Sequence, residues 1–166
     1  VTLERNHLLK SLGHVHRVVE RRNTYPILAN VLMKAGDGGI DLRATDLDIE
    51  VIDRARAMVL RPGATTVSAH TLHEIVRKLP DGAMVELGDD GLSGRLEVRA
   101  GRSHFSLQTL PREDFPIMAS AEYQCNFNCR APVLRRLFDK AKFAISTEET
   151  RYYLNGVYLH AARTAT

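Results

Sequence analysis

The sequence predicts an α+β fold built from a repeated unit of one strand, one helix and three strands. The first sign is a helical apolar face, on which Leu8, Leu12, Val15 and Val19 recur at i, i+4, i+7 and i+11. The second is a series of short alternating segments after this helix, separated by glycine turns. The third is that the same order restarts at Ala64. Two such halves make one domain, with both helices on one face of antiparallel sheet.

Each half can be followed along the chain. We expect the first half to contain, in order, a strand at 1–4, a helix at 7–22 capped by Asn6, and strands at 31–35, 40–44 and 47–51. We expect the second half to contain a strand at 64–68, a helix at 71–79, and strands at 84–87, 96–100 and 104–110.

A third half begins after a linker at 111–116, which is rich in turn residues. A strand near 123–129 and a helix opened by Pro132 repeat the earlier order, and a strand is expected to start near Arg151. We therefore predict one complete domain at 1–118 and the first half of a second domain at 119–166.

Composition is that of an ordinary globular protein, with 44% hydrophobic and 26% charged residues. No apolar run approaches the roughly 18 residues of a membrane span. Cys125 and Cys129 would lie too far apart for a disulfide on a strand, and two free thiols favour a reducing cytoplasm.

Charge is segregated by element type. Residues 5–22 hold five Lys and Arg against one Glu, and residues 130–142 hold five against one Asp. Residues 37–53, expected to be strands, instead hold six acids against one Arg. Basic helices beside acidic strands could attract a polyanion to one side of the molecule.

The basic helix faces are candidates for nucleic-acid binding. Lys10, His14, Arg17 and Arg21 repeat the helical spacing on a face away from the apolar one. Lys and Arg in such a stripe neutralise phosphates without reading sequence. The alternative for each helix is a simple solvated face.

A carboxylate cluster is the alternative candidate site. On a strand, Asp46, Asp48 and Glu50 would share one face and could serve a metal-dependent nuclease. Two-metal sites instead gather carboxylates from separate elements, so a solvated strand face is the favoured interpretation. His14 and His16 diverge on a helix, and His70 and His73 lack an obvious third ligand, so no metal site is predicted. The sequence also shows no glycine-rich phosphate loop and no serine with a recognisable partner histidine, so no catalytic site is predicted.

Two further features admit two interpretations each. Tyr152 and Tyr153, beside Arg151, could stack on bases. Alternatively, they begin a strand and one of the two rings packs in the hydrophobic core. Phe105 and Leu107 lie on the last strand of the first domain, where they pack in the core or meet a partner subunit.

Several segments together resemble the bacterial sliding clamp family, the beta subunit of DNA polymerase III, over all 166 residues. They are Thr-Asp-Leu at 45–47, Gly-Ala-Thr-Thr-Val at 63–67, Gly-Arg-Ser-His-Phe-Ser-Leu at 101–107, Leu-Pro…Asp-Phe-Pro at 110–116 and Arg-Tyr-Tyr-Leu-Asn-Gly at 151–156. The resemblance implies the DNA-clamp fold, in which three similar domains form a subunit and two subunits close head to tail into a ring. Helices face duplex DNA in the hole and antiparallel sheets form the outside.

The resemblance also implies the function and the partners. The clamp slides on duplex DNA, indifferent to sequence, and tethers the replicative polymerase catalytic subunit, the clamp loader and other proteins that carry a clamp-binding motif. It is a non-catalytic homodimer of the bacterial cytoplasm, without cofactor, metal or membrane. The remainder of the second domain and a third domain would lie beyond these 166 residues.

Particular residues match family positions. Arg22 matches a DNA-contacting Arg, His70 a position that can carry an Arg near DNA, and Tyr152 and Tyr153 a tyrosine pair near DNA. Glu148 stands where relatives carry a DNA-contacting Gln, and its carboxylate would repel phosphate. Other basic side chains are expected to supply attraction rather than fixed contacts: Lys10, Arg17, Arg21, Arg136 and Lys140.

The resemblance further implies a ring interface formed by apolar Phe105 and Leu107, with Arg102 and His104 on its polar side and Thr71 nearby. Leu154 matches the first wall of the pocket for partner peptides. The alternatives from the residues alone remain a metal-dependent nuclease using Asp46, Asp48 and Glu50, or a generic protein-interaction domain.

Overall fold

The computed structural model describes residues 1–19, 24–89, 93–118 and 126–160. The chain divides into two compact units, Val1–Ala119 (unit 1) and Ser120–Thr166 (unit 2). The elements of unit 1 are β1 (Thr2–Glu4), α1 (Arg5–Val15), β2 (Asn30–Gly36), β3 (Gly39–Thr45), β4 (Glu50–Arg56), β5 (Gly63–Ser68), α2 (Ala69–Lys78), β6 (Met84–Asp89), β7 (Arg95–Ala100) and β8 (Ser103–Leu110), with short 3-10 turns at Pro26–Ala29 and Arg112–Asp114.

The eight strands form one antiparallel sheet in the order β1-β6-β7-β8-β5-β2-β3-β4. The predicted alternation of one strand, one helix and three strands is confirmed in both halves. The halves also exchange strands, since β1 pairs with β6 of the second half and β5 pairs with β2 of the first. The first strand of each half is therefore hydrogen-bonded to a strand of the other half.

The core lies between the sheet and the two helices. Leu8, Leu12 and Val15 of α1 are fully buried, and Val19 beyond the helix is 5% exposed, so the predicted apolar face is confirmed. Leu72 and Val76 provide the equivalent face of α2. These side chains pack in one cluster with strand residues that alternate toward the helices, among them Val31, Ile40, Leu42, Val67, Val85 and Val98.

The first helix is shorter than predicted. Helix α1 ends at Val15, and the chain then tightens, with the Val18 N–H donating to the Val15 carbonyl and the Val19 N–H to the His16 carbonyl. Such i→i−3 bonds are the usual way in which a helix end satisfies its last carbonyls. The prediction of Asn6 as the cap is wrong, because α1 begins at Arg5 and its N-cap is Glu4.

The hairpin between β2 and β3 follows from its turn residues. Asp37 and Gly38 both have positive φ, 43° and 70°, which is the backbone of the two-residue turn that suits the twist of paired strands. Gly36 and Gly39 face each other across this turn, and a Cβ on Gly39 would meet the Arg54 side chain at 2.8 Å.

The strand predicted at 47–51 is wrong in its first half. Oδ1 of Asp46 accepts the N–H groups of Asp48 and Ile49, at 3.0 and 2.7 Å, and Leu47 has a φ of 82°. This side-chain turn leaves no extended backbone before Glu50, where β4 begins. Asp46, Asp48 and Glu50 therefore do not share one strand face.

Unit 2 contains α3 (Ala131–Ala141) and 3-10 turns at Lys142–Ala144 and Glu149–Leu154. Pro132 lies in the first turn of α3, as predicted. The strand near 123–129 is not observed over 126–129, and 123–125 lie outside the described residues; the strand expected from Arg151 is a 3-10 turn instead. Strands need hydrogen-bonded neighbours. Each half of unit 1 supplies consecutive strands that pair with one another and with the other half, whereas the described part of unit 2 contains the helix of a single half.

Within the described ranges, no helix is both long and apolar enough to cross a membrane.

Candidate nucleic-acid interface

Helices α1 and α2 lie antiparallel, and polar side chains join them at both ends. At one end, Arg5 in the first turn of α1 reaches the last carbonyls of α2. At the other, His16, directly after α1, contacts His70 and His73 in the first turns of α2. The two helices thus present one continuous surface on their side of the sheet.

The Arg5 guanidinium acts as a cap for α2. Its Nε donates to the Val76 carbonyl at 3.0 Å and one terminal nitrogen donates to the Arg77 carbonyl at 2.7 Å. The other terminal nitrogen forms an ion pair with Asp81 at 2.6 Å. A cation at this position also interacts favourably with the negative, C-terminal end of the helix dipole. Only 12% of the Arg5 side chain is exposed, so this residue supports the surface and is not available to phosphate.

Three imidazoles, His16, His70 and His73, form a histidine cluster between the helices. The rings of His16 and His73 stack with centroids 4.0 Å apart and planes 10° from parallel. The ring of His70 meets His16 edge-on at 5.8 Å. His70, predicted to contact DNA, has its Nε2 3.0 Å from the Val19 carbonyl and so also holds the turn after α1.

Only part of the predicted basic stripe of α1 lies within the described residues. Lys10 and Arg17 are exposed. Arg21 and Arg22, predicted to supply attraction and a direct DNA contact, lie outside the described residues. Their roles therefore remain predictions, as do those of Lys10 and Arg17.

One member of this stripe carries an acid partner. His14 Nδ1 lies 2.5 Å from Oδ2 of Asp53 on β4. Burial raises the pKa of Asp53, but the hydrogen bond from His14, the N–H of Arg54 and the charge of Lys10 together bring that pKa below its ordinary value. Asp53 therefore stays ionised and offsets part of the positive charge on this side of α1.

In unit 2 the two tyrosines are solvent-exposed. Tyr152 and Tyr153 are 79% and 71% exposed, and their rings meet edge-to-face at 5.9 Å. Of the two interpretations open from the sequence, core packing of one ring is not observed. The carboxylate of Glu148 was expected to repel phosphate. It forms an ion pair with Arg151 at 3.4 Å, which partly neutralises its charge.

Helix α3 carries the remaining predicted basic residues. Arg136 and Lys140 are exposed on it. Asp139 interrupts the stripe but is engaged by Lys142 at 2.8 Å and by Arg135 at 3.8 Å. The net field of this helix is therefore positive around Arg136 and Lys140.

The predicted ring interface corresponds to a sheet edge beside a groove. Strand β8 pairs with β7 along its length but with β5 only at Thr109 and Leu110. In the described part of the chain, no strand pairs with the other edge of residues 103–108. A groove of about 650 Å³ runs between this edge and α2, lined among others by Thr71, Ile75 and Phe105.

The side chains on and beside β8 differ in their exposure. Leu107 is half-buried against the core, while Phe105 is 36% exposed at the groove. Arg102 and His104 are exposed. His104 contacts Glu97, whose other oxygen accepts from the Ser106 hydroxyl at 2.6 Å. The Ser106 bond, together with His104, lowers the pKa of Glu97 although desolvation opposes the shift.

Leu154, predicted to line a peptide pocket, ends the 3-10 turn of unit 2 and is 45% exposed. Its carbonyl accepts the Ser146 N–H at 3.0 Å.

The carboxylates of the nuclease alternative do not assemble. Asp46 is occupied by its own turn, and Glu50 pairs with Arg43 at 3.1 Å. Across the ranges that the structure describes, no group of three His, Cys, Asp or Glu side chains is arranged to hold a metal ion.

Sequence reasoning missed two features of this surface. Nothing local marks Arg5 as the cap of α2, because its carbonyl partners lie 71 and 72 residues away. His73 was visible at helical spacing from His70, but its stacking on His16 depends on how the two helices pack.

Comparisons with known proteins agree with this architecture. Residues 1–119 match the family model of the DNA polymerase III beta subunit, N-terminal domain. The beta sliding clamp of Caulobacter vibrioides (strain NA1000 / CB15N) is 55% identical over 160 residues, which are 96% of this chain and 43% of that protein. That of Escherichia coli (strain K12) is 41% identical over 157 residues, covering 94% and 42%.

Solved structures give the same result. The sliding clamp from Caulobacter crescentus superposes with a TM-score of 0.91 at 55% identity, covering 96% of this chain and 43% of that one. A sliding clamp from Bartonella birtlesii, bound to griselimycin, gives 0.93 at 49% identity, covering 99% and 44%. The chain thus spans less than half the length of these relatives. By the match over residues 1–119 and the shared fold, it belongs to the DNA polymerase III beta subunit family.

Proposed function

We propose that the protein containing this chain is a sliding clamp, which encircles duplex DNA and tethers the replicative polymerase and the clamp loader. The observation that carries the proposal is the antiparallel pair α1 and α2, which covers one face of the sheet of a chain that belongs to this family. Exposed Lys10 and Arg17 lie on or directly after α1, and exposed Arg77 lies on α2.

Such a surface suits sliding. Lys and Arg attract phosphates through counterion release, which is independent of sequence. Base-edge hydrogen bonds would favour particular sites and slow movement along the duplex. We propose Arg22, His70, Tyr152 and Tyr153 as the nearest contacts to DNA. Glu148 would lie close to them, but its negative charge opposes a contact with phosphate. The general field comes from Lys10, Arg17, Arg21, Arg136 and Lys140.

Ring closure is proposed to use the unpaired edge of β8. Its backbone groups could pair with a strand of a second subunit, and Phe105 and Leu107 would be covered in the contact, with Thr71 across the groove and Arg102 and His104 at the polar rim. Residues 1–118 would be the first clamp domain and 119–166 the opening half of the second. Leu154 would form one wall of the pocket that receives polymerase, clamp-loader and other clamp-binding peptides.

Retention on DNA tests the central proposal. The full-length protein, loaded by its clamp loader, should remain on nicked circular DNA and be lost after linearisation, because a ring leaves only over an end. Equal loss from circular and linear DNA would exclude encirclement. Phe105→Glu should shift the full-length dimer toward monomer in sedimentation velocity, whereas the exposed change Arg61→Glu, away from β8, should not.

Salt dependence tests the proposed contact of Arg22. Arg22→Ala should weaken binding to a short duplex and flatten the dependence of log K on log salt by about one unit for each phosphate that the protein no longer neutralises. An unchanged slope would show that Arg22 does not touch phosphate. Catalysis is not part of this proposal, so the purified protein should not cleave DNA with magnesium.

A further inference from the structure

The histidine cluster places three titratable rings at one end of the helix pair proposed to meet DNA. His16 follows α1, whereas His70 and His73 lie on α2, so the cluster closes the contact between the helices. All three residues are partly exposed. Exposed Arg17 follows His16 directly, and exposed Arg77 lies one helical turn after His73. Water and ions therefore reach rings that the mechanism of sliding does not otherwise need.

Hydrogen bonds assign one nitrogen on each of two rings. His16 Nδ1 lies 3.0 Å from the Leu12 carbonyl, and His70 Nε2 lies 3.0 Å from the Val19 carbonyl. Because a carbonyl only accepts, each of these nitrogens carries a proton. Among the described residues, no hydrogen-bond partner faces His16 Nε2 or His70 Nδ1, so these are the atoms at which a second proton would bind.

Without DNA, the surroundings of His73 favour its neutral form. Burial lowers the pKa of His73, and the neighbouring His16, Arg77 and His70 lower it further, while Glu74 acts in the opposite direction. Glu74 is itself engaged by Arg77 at 2.7 Å and lies 4.0 Å from His73 Nδ1. These are the charged and titratable groups that act on His73 within the described residues. Two stacked imidazolium rings would repel each other.

We propose that the histidine cluster takes up a proton when this surface binds duplex DNA, so that the affinity for DNA rises as the pH falls toward the pKa of histidine. The inference rests on the proposed function. Phosphates supply the negative potential that the cluster lacks, and they favour the charged form of any group beside them. By reciprocity, a protonated cluster binds DNA more tightly.

The expected size follows from linkage. If DNA raises the pKa of one ring by about one unit, the affinity of the protonated form exceeds that of the neutral form by about ten-fold. Stacking of His16 on His73 opposes a second charge, so only one of the three rings should gain a proton. A shift of about one unit in its pKa corresponds to an uptake of about half a proton at the pH midway between the free and bound pKa values. The effect should develop between about pH 8 and about pH 5.5, where histidine titrates.

Calorimetry measures this proton directly. The full-length protein is titrated with a short duplex at low salt in two buffers that differ in ionisation enthalpy, near pH 6.5. The difference in binding enthalpy gives the number of protons taken up. His73→Gln and His16→Gln each remove one stacked ring, and His7→Gln removes an exposed histidine at the other end of α1, outside the cluster.

Wild-type and His7→Gln proteins should take up about half a proton, while His73→Gln and His16→Gln should take up clearly less and bind DNA with a flatter pH dependence. Circular dichroism identifies any variant that fails to fold, and the other cluster variant then decides. DNA binding without proton uptake, or uptake unchanged in both cluster variants, overturns the inference alone. Absence of DNA binding at every pH overturns the proposed function as well.

Discussion

The contact of Arg5 with the end of α2 gives the sharpest stability prediction. Arg5→Met keeps an unbranched side chain for packing and removes the guanidinium. The carbonyls of Val76 and Arg77 and the carboxylate of Asp81 then lose their donor, as does the exposed Oδ1 of the neighbouring Asn6. A hydrogen bond from a charged donor stabilises by about 1.5–3 kcal/mol.

The contacts of Arg5 with Val76, Arg77 and Asp81 are not equal. Asp81 is 88% exposed, so its ion pair contributes about 1 kcal/mol at most. The bond to the Arg77 carbonyl is also exposed, and water can replace it, whereas the bond to Val76 is partly buried. We therefore expect Arg5→Met to lower the free energy of unfolding by about 2–3 kcal/mol.

Urea denaturation, followed by far-UV circular dichroism, measures this loss as a decrease of about 1 M in the midpoint. Asp81→Asn is the matched control, because it removes the ion pair and leaves both carbonyl bonds; it should cost about 0.5 kcal/mol. Equal, small losses in the two variants would show that the guanidinium does not stabilise the end of α2.

Three further changes test separate parts of the fold. Thr66→Val should cost about 2 kcal/mol in denaturation, since the buried hydroxyl accepts from the Asn30 amide and donates to the Leu110 carbonyl, whereas Thr66→Ser should cost less. Leu47→Gly should raise the denaturation midpoint, because glycine adopts a φ of 82° without the strain of about 1 kcal/mol that leucine carries there. A lower midpoint would show that the contacts of the Leu47 side chain stabilise the fold by more than this strain costs. The pKa of His73 is lowered by burial first, so stability is greatest above about pH 6.5 and declines as the pH falls through that lowered pKa. His73→Gln should weaken this decline, which thermal melts across the pH range would detect.

The sequence by itself determined the order of elements in unit 1, because apolar residues spaced for one helix face or one strand face need only local information. It located the buried face of α1, the second half from Ala64, and exposed basic residues such as Lys10 and Arg17. The segments shared with the clamp family indicated a specific function, whereas the charge pattern alone indicated only possible nucleic-acid binding. It misplaced the start of β4, because an Asp46 side chain competes with the strand backbone in a way that alternation does not register.

Only the tertiary structure decided how distant segments meet. The exchange of β1 and β5 between halves, the cap that Arg5 places on α2 and the stacking of His16 on His73 all join residues that are far apart in the chain. No local propensity encodes such contacts, since they arise when the apolar faces of two helices settle on one sheet. For the same reason α3 forms from its own sequence in unit 2, while a strand forms only where another strand supplies its hydrogen bonds.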